Sequence, residues 1–262
     1  MRQEIAEIVR QAGQIVRGAG RDKGVTEKSG HQDLVTRYDS QVQRFLEDRL
    51  LALLPQAGFL GEEDLGEDVH ADREWLFVVD PIDGTTNFVK EYPHCGISVG
   101  LYRNGQPEIG VIYDPYLDEL FEAERGQGAF LNGKPIHVSD VPLSDAVTVM
   151  GTSPYYRQFT DVTFAIGKAL YTGSLDIRRA ASAALDLCYI AAGRVDAYFE
   201  CLLSPWDYAA GALIVAEAGG VATDLTGQPL RIDCKCSLAA GNVPCHKDLL
   251  RIAADCGFPL KD

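Results

Sequence analysis

The sequence predicts an α/β protein built from layered helices and sheets, and three observations predict it. Apolar residues recur at helical spacing through the first 53 positions, β-rich runs separated by turn signals fill positions 75 to 131, and strand and helix patterns alternate after about residue 140. A length of 262 residues suits one large domain or two closely fused halves, with 46% apolar and 24% charged residues as in ordinary globular chains.

Ile5, Ile8, Val9, Ala12, Ile15, Val16 and Ala19 are spaced by threes and fours, which predicts an amphipathic helix over 3 to 19, stopped at Gly20. Val42, Phe45, Leu46, Leu50 and Leu53 predict a second helix, starting near Asp39 and ended by Pro55. From Trp75 the texture changes. The runs 75–79, 97–102, 109–113, 120–123 and 129–131 read as strands, and Asn104-Gly105, Asp114-Pro115 and Asn132-Gly133 between them predict an antiparallel meander. Beyond residue 140 the pattern gives helices over 182–192 and 207–218, strands near Val221 and Leu238, and a last helix after Pro244. No linker separates the halves, so 1–140 and 141–262 are expected to share one packed body with a soft boundary.

Charge narrows the function classes. Lys and Arg number 24 against 38 Asp and Glu, a formal net charge of −14, which repels nucleic-acid backbone and anionic lipid. A nucleic-acid binder is therefore disfavoured, and an enzyme of anionic substrates needs bound cations to reverse the local field. The N-terminal residues Met1 to Glu7 carry acids where a signal peptide has an apolar core, and no run approaches the ~20 apolar residues of a membrane span, which predicts a cytoplasmic protein without a membrane partner. Seven scattered cysteines form no disulfide framework and read as reduced thiols.

The chemistry concentrates where the apolar run from Trp75 to Val79 meets Asp80-Pro81-Ile82-Asp83-Gly84-Thr85-Thr86-Asn87-Phe88. Pro81 fixes φ and Gly84 allows a sharp turn, so both carboxylates and the Ile82 carbonyl can face one point, an oxygen set that suits Mg²⁺. Asp-Pro and Asp-Gly are also common turn dipeptides. The spacing excludes an EF-hand loop, because Ile82 and Gly84 occupy ligand positions 3 and 5. Glu62-Glu63 lies 18 residues before Asp80, and Asp207 follows Ser204-Pro205-Trp206. Taken singly, the first pair reads equally as a solvated loop and Asp207 as a helix N-cap. Gly96-Ile97-Ser98-Val99-Gly100 matches a serine-hydrolase pattern but continues as a strand into a hairpin turn. Cys234-x-Cys236 with Cys245-His246 lacks zinc-site spacing.

Together, Asp33 to Thr36 with Asp39, Gly61-Glu62-Glu63, the segment from Asp80 to Phe88, Asp176 to Arg179 with Ser182-Ala183-Ala184, Asp196 to Glu200 and Trp206-Asp207 resemble the inositol monophosphatase family of Mg²⁺-dependent, lithium-sensitive phosphatases. The resemblance spans nearly the whole chain and implies an α-β-α-β-α sandwich, inositol monophosphatase and fructose bisphosphatase-like, with an antiparallel first sheet and a mixed second one.

It also implies that Glu62, Asp80 and the Ile82 carbonyl hold one Mg²⁺, that Asp80, Asp83 and Asp207 hold a second, and that a third would lean on Glu62. Two carboxylates ~4 Å apart repel by about 4 kcal/mol at an effective dielectric of 20, so converging acids need raised pKa values or divalent cations. By the same resemblance, a water polarised by Glu62 and Thr85 attacks in line, Asp39 orients the Thr85 hydroxyl, and no phosphoenzyme forms. Gly84 and Thr85, just before a helix start at Thr86-Asn87, provide the phosphate cradle. Lys28 falls in a loop that closes over the metals, with a solvated lysine as the alternative.

Substrate contacts are implied for Glu200, Asp207 and the backbone at Ala181, Ser182 and Ala183, where the family usually has Gly-Ser-Ala. Glu200 could instead pair with Arg178 or Arg179. The implied reaction is hydrolysis of a small phosphate monoester, myo-inositol 1-phosphate first, by a homodimer. Histidinol phosphate, fructose 1,6-bisphosphate, NADP and adenosine 3′,5′-bisphosphate are the alternatives, and a non-catalytic sugar-phosphate binder is the alternative from another class.

Overall fold

The computed structural model describes residues 1–28, 34–63 and 73–259. Helix α1 (Arg2–Arg17) buries Ile5, Val9, Ala12 and Val16 along one stripe and ends at Gly18, two residues before the expected stop. The short strands β1 (Thr26–Glu27) and β2 (Leu34–Val35) pair antiparallel. Helix α2 (Arg37–Leu53) begins two residues before Asp39, because Thr36 is its N-cap and Asp39 completes the capping box.

Strands β3 (Gly58–Gly61) and β4 (Trp75–Asp83) run parallel, and the turn after β4 leads into α3 (Thr85–Val89). The chain then runs through β5 (Gly96–Arg103), β6 (Gln106–Asp114), β7 (Glu119–Glu124), β8 (Ala129–Leu131) and β9 (Lys134–Ile136). These strands form a seven-stranded sheet in sequential order, antiparallel from β4 onward. All the strand runs expected before residue 140 lie in it. The parallel pair at the β3 edge is the one departure from an antiparallel sheet, and β3, with two glycines in four residues, carries little β signal of its own.

The second half contributes β10 (Val147–Met150), α4 (Thr160–Gly173), β11 (Asp176–Arg178), α5 (Ala183–Ala191), β12 (Ala197–Leu203), α6 (Pro205–Glu217), β13 (Val221–Thr223), β14 (Cys236–Gly241) and α7 (Val243–Asp255). Its five-stranded sheet has the order β11-β10-β12-β14-β13, parallel on one side and antiparallel on the other, which is the expected mixed sheet.

Strand alternation sorts the side chains into layers. Phe77 and Val79 face a core made with α1 and α2, whereas Leu76 and Val78 on the opposite face pack with Ala209 of α6. Helices α5 and α6 fill the space between the sheets with Phe121 and Ala123 on one side and Val149, Tyr198 and Leu238 on the other. Helices α4 and α7 cover the far face of the second sheet over Met150, Phe199 and Ala239. The order is thus α-β-α-β-α. Helix α6 seats directly on the first sheet because Gly110 leaves room: a Cβ there would lie 2.6 Å from the Ala210 carbonyl oxygen.

Candidate active site

The buried strand β4 delivers the central carboxylates. Asp80 is 1% and Asp83 8% exposed, and the strand's pairing with β5 shifts register between them, which lets both acids sit at one end of the sheet. Asp80 Oδ1 accepts from the Ile82 amide at 3.0 Å. Gly84 then takes a left-handed conformation (φ 92°) as the N-cap of α3, the sharp turn expected there. The helix starts at Thr85, one residue before the expected start.

Asp207 arrives from another layer. It is the third residue of α6, so it is not the N-cap of the alternative reading; Ser204 is, and Asp207 Oδ2 accepts from the Ser204 amide at 2.7 Å. Oxygens of Asp80, Asp83 and Asp207 lie within 4.8 Å of one another. Glu62 follows β3, its amide donating to Val79 O at 3.2 Å, and after burial its charge is the largest influence holding the Asp80 pKa up.

Lys28 is not the solvated lysine of the alternative reading. Its Nζ donates to Glu62 Oε1 at 3.1 Å and to Glu63 Oε1 at 2.7 Å, so the two glutamates are not a solvated loop either. Burial works to lower the ammonium pKa, and the two carboxylates outweigh it and leave it raised. Asp33, at the start of the segment that leads to Asp39, lies outside the described residues.

Thr85 Oγ1 lies 3.2 Å from Asp39 Oδ1 and 3.1 Å from Ile82 O, so its single proton is shared between two acceptors. Asp39 is fixed in turn by the Thr36 amide at 2.8 Å and the Thr36 hydroxyl at 2.5 Å, both to Oδ2. The pairing of residues 39 and 85, 46 apart in the chain, is the one the resemblance implied.

On the other side of Asp83, Ser182 Oγ and the Ala184 amide donate to its Oδ2 at 2.6 and 2.7 Å. Ser182 is the N-cap of α5 and Ala183 its first residue. Ala181 just before them has φ 71°, so the residue that stands where glycine was expected occupies the region glycine favours. Glu200 is buried on β12 and makes neither of the arginine pairs considered from sequence. Its oxygens accept from the Ser153 amide and the Tyr198 hydroxyl, each at 2.6 Å, while Arg178 pairs with Asp176 and Arg179 Nη2 donates to Thr152.

The electrostatics follow from this crowding. Burial, then the charges of Glu62, Asp83 and Asp207, push Asp80 well above the carboxylate range, and burial with Asp83 and Glu62 does the same to Asp207. Burial pushes Asp83 up to about 7 against its two hydrogen bonds, and Asp39 up to about 6. Carboxylates so placed cannot all ionise at neutral pH without a counter-charge. The donor set is oxygen only, which fits a hard divalent cation of the Mg²⁺ type. Asn87, Ser153 and Tyr198 were not singled out from sequence as side chains of the site; their partners lie far along the chain or, for Tyr198, in an ordinary strand alternation.

Known proteins resemble the chain along its length. The family model described as the inositol monophosphatase family matches residues 1–256. The Nus factor SuhB of Salmonella typhimurium is 44% identical over 202 residues, 76% of this chain and 75% of that protein. The inositol-1-monophosphatase of Bacillus subtilis is 35% identical over 252 residues, 94% and 95% of the two chains. The structure of inositol monophosphatase from Anabaena (Nostoc) sp. PCC 7120 superposes with a TM-score of 0.84 at 36% identity, covering 97% of this chain and 95% of that one.

Proposed function

This chain belongs to the inositol monophosphatase family, and from that premise we propose that it hydrolyses a small phosphate monoester with Mg²⁺, myo-inositol 1-phosphate before others. The observation that carries the reading is the convergence of Asp80, Asp83 and Asp207 oxygens within 4.8 Å, from two elements of different layers. Glu62, Asp80 and the Ile82 carbonyl would hold one ion, Asp80, Asp83 and Asp207 a second, and Glu62 a third. Bound there, the ions supply charge neutralisation at the phosphate oxygens and a lowered pKa for water.

The chain's own residues orient the rest. Thr85 gives its proton to Asp39 or Ile82 and keeps its lone pairs to accept a hydrogen from the attacking water, with Glu62 as the other acceptor. Thr36 fixes Asp39, and Ser182 with the Ala184 amide fixes Asp83, so neither carboxylate must reorganise during the reaction. The amides at Gly84 and Thr85 hold phosphate oxygens. Glu200, already oriented by Ser153 and Tyr198, keeps lone pairs for substrate hydroxyls, and Ala181 to Ala183 line the wall beside it. Lys28 would release Glu62 and Glu63 when its loop closes over the ions. In this reading 1–140 is the metal-binding half, aided by Asp207, and 141–262 selects the substrate, in a cytoplasmic homodimer. Among the described residues no helix is long and apolar enough to cross a membrane.

A second reading, a non-catalytic sugar-phosphate binder on the same fold, is favoured by one observation: relatives at 44% identity are named Nus factor. A phosphate-release panel decides, run with Mg²⁺ on myo-inositol 1-phosphate, histidinol phosphate, fructose 1,6-bisphosphate, NADP and adenosine 3′,5′-bisphosphate. Fastest release from the inositol ester is expected. A faster rival would reassign the substrate, and no Mg²⁺-dependent release from any of them would favour the binder.

A further inference from the structure

We propose that Asn87 is a positioning residue that fastens the substrate-facing turn at Ala181 to the phosphate cradle; this rests on the phosphatase reading above. Asn87 lies in α3, and its Nδ2 donates to His94 O at 2.7 Å, to Ala180 O at 2.8 Å and, more weakly, to Ala181 O at 3.4 Å. The two protons of the amide nitrogen are thus committed to backbone carbonyls from two places. His94 precedes β5, whereas Ala180 and Ala181 form the turn before α5, 93 and 94 residues along the chain from Asn87.

The turn held this way works against its own preference. Ala181 has φ 71°, where glycine sits freely and an alanine Cβ meets the backbone. Its carbonyl also closes on the cradle: a Cβ on Gly84 would lie 3.0 Å from Ala181 O and 3.1 Å from His94 O. Gly84, His94 and Ala181 therefore pack backbone to backbone around one side-chain amide. The next residues carry the effect to the reacting centre, since Ser182 Oγ and the Ala184 amide hold Asp83 Oδ2. Releasing the turn would loosen the substrate wall and Asp83 together, although Asn87 has no proposed contact with phosphate or metal.

The test is a double-substitution cycle of Asn87→Ala and Ala181→Gly, read by melting temperature, Mg²⁺ affinity from titration calorimetry, and KM and kcat for myo-inositol 1-phosphate. With Ala181 present, Asn87→Ala is expected to raise KM about tenfold, more than it lowers kcat, to weaken Mg²⁺ binding a few-fold, and to lower the melting temperature by about 5 °C, the scale of one or two lost hydrogen bonds. In the Ala181→Gly background the same substitution should cost about twofold or less, because a glycine keeps the turn unaided. Equal losses in both backgrounds, or unchanged KM and Mg²⁺ affinity in Asn87→Ala, would overturn the proposal. If Asn87→Ala alone does not fold, the double variant is expected to, and its failure would also overturn it. A parent protein that releases no phosphate from any ester sinks the phosphatase reading, and the clamp is then decided by melting temperature and Mg²⁺ affinity alone.

Discussion

Asp80 stands at odds with the strand that carries it: a carboxylate 1% exposed, crowded by Glu62, Asp83 and Asp207, in a strand otherwise made for a core. Asp80→Asn keeps the side-chain oxygen that accepts from the Ile82 amide and removes the charge. It is expected to abolish turnover and the stabilisation by Mg²⁺, while raising the stability of the metal-free protein by about 1–3 kcal/mol, the scale on which buried uncompensated charge is costly. Thermal melts in EDTA and in Mg²⁺ check both parts, and turnover at the parent rate would exclude Asp80 as a ligand. The same crowding fixes a pH dependence. Asp83, at about 7, and Asp39, at about 6, both lie above their ordinary 3.8, so between about pH 4 and 7 the folded chain binds more protons than the unfolded one. Their contribution to stability is largest in acid and is lost as pH rises through 6 and 7. Metal-free protein should therefore melt several degrees lower at pH 8 than at pH 5.5, and saturating Mg²⁺ should remove the difference; scanning calorimetry at the two pH values measures it.

At the scale of elements, caps and close approaches hold the site. Thr36→Ala removes the cap of α2 and one of the two groups that fix Asp39 Oδ2. A loss of about 1 kcal/mol in urea unfolding is expected, with a several-fold fall in turnover that a cap remote from the site would not produce. Gly110→Ala drives a methyl against the Ala210 carbonyl and should cost about 1–3 kcal/mol in the same measurement, since α6 must lift from the sheet. The elements also show what sequence could tell. Helices α1 and α2 were legible because their stripes are long, and the meander because Asn-Gly turns punctuate it. Helix α4 was missed although Val162, Ile166 and Leu170 are spaced by fours, because Gly167 and its threonines weaken the helical signal. Strand β12 is legible only through the family resemblance of its residues, and β10 and β11, four and three residues long, carry too few alternations to be read.

For the whole molecule, the −14 charge and the acid cluster put divalent cations at the centre of the activity proposed above. Protons and Mg²⁺ compete for the same oxygens, so the Mg²⁺ concentration for half-maximal phosphate release should rise as pH falls from 8 to 6; a flat dependence would argue for another catalyst. The acids of β4 could be read as a ligand set because they are contiguous and end an apolar run. Asp207 joined them in the sequence reading only through family resemblance, since no local pattern reports a partner 124 residues away, and the Asn87 tie has no local pattern either. Helices α5 and α6 pack against both sheets. A break at residue 140 would strip residues 1–140 of the helix that seats on Gly110 and expose that apolar sheet face to water. Chimaeras that splice this chain to a relative at that point would misassemble unless they conserve the small side chains of α6, so the gene is expected to diverge as one cassette rather than as two exchangeable modules.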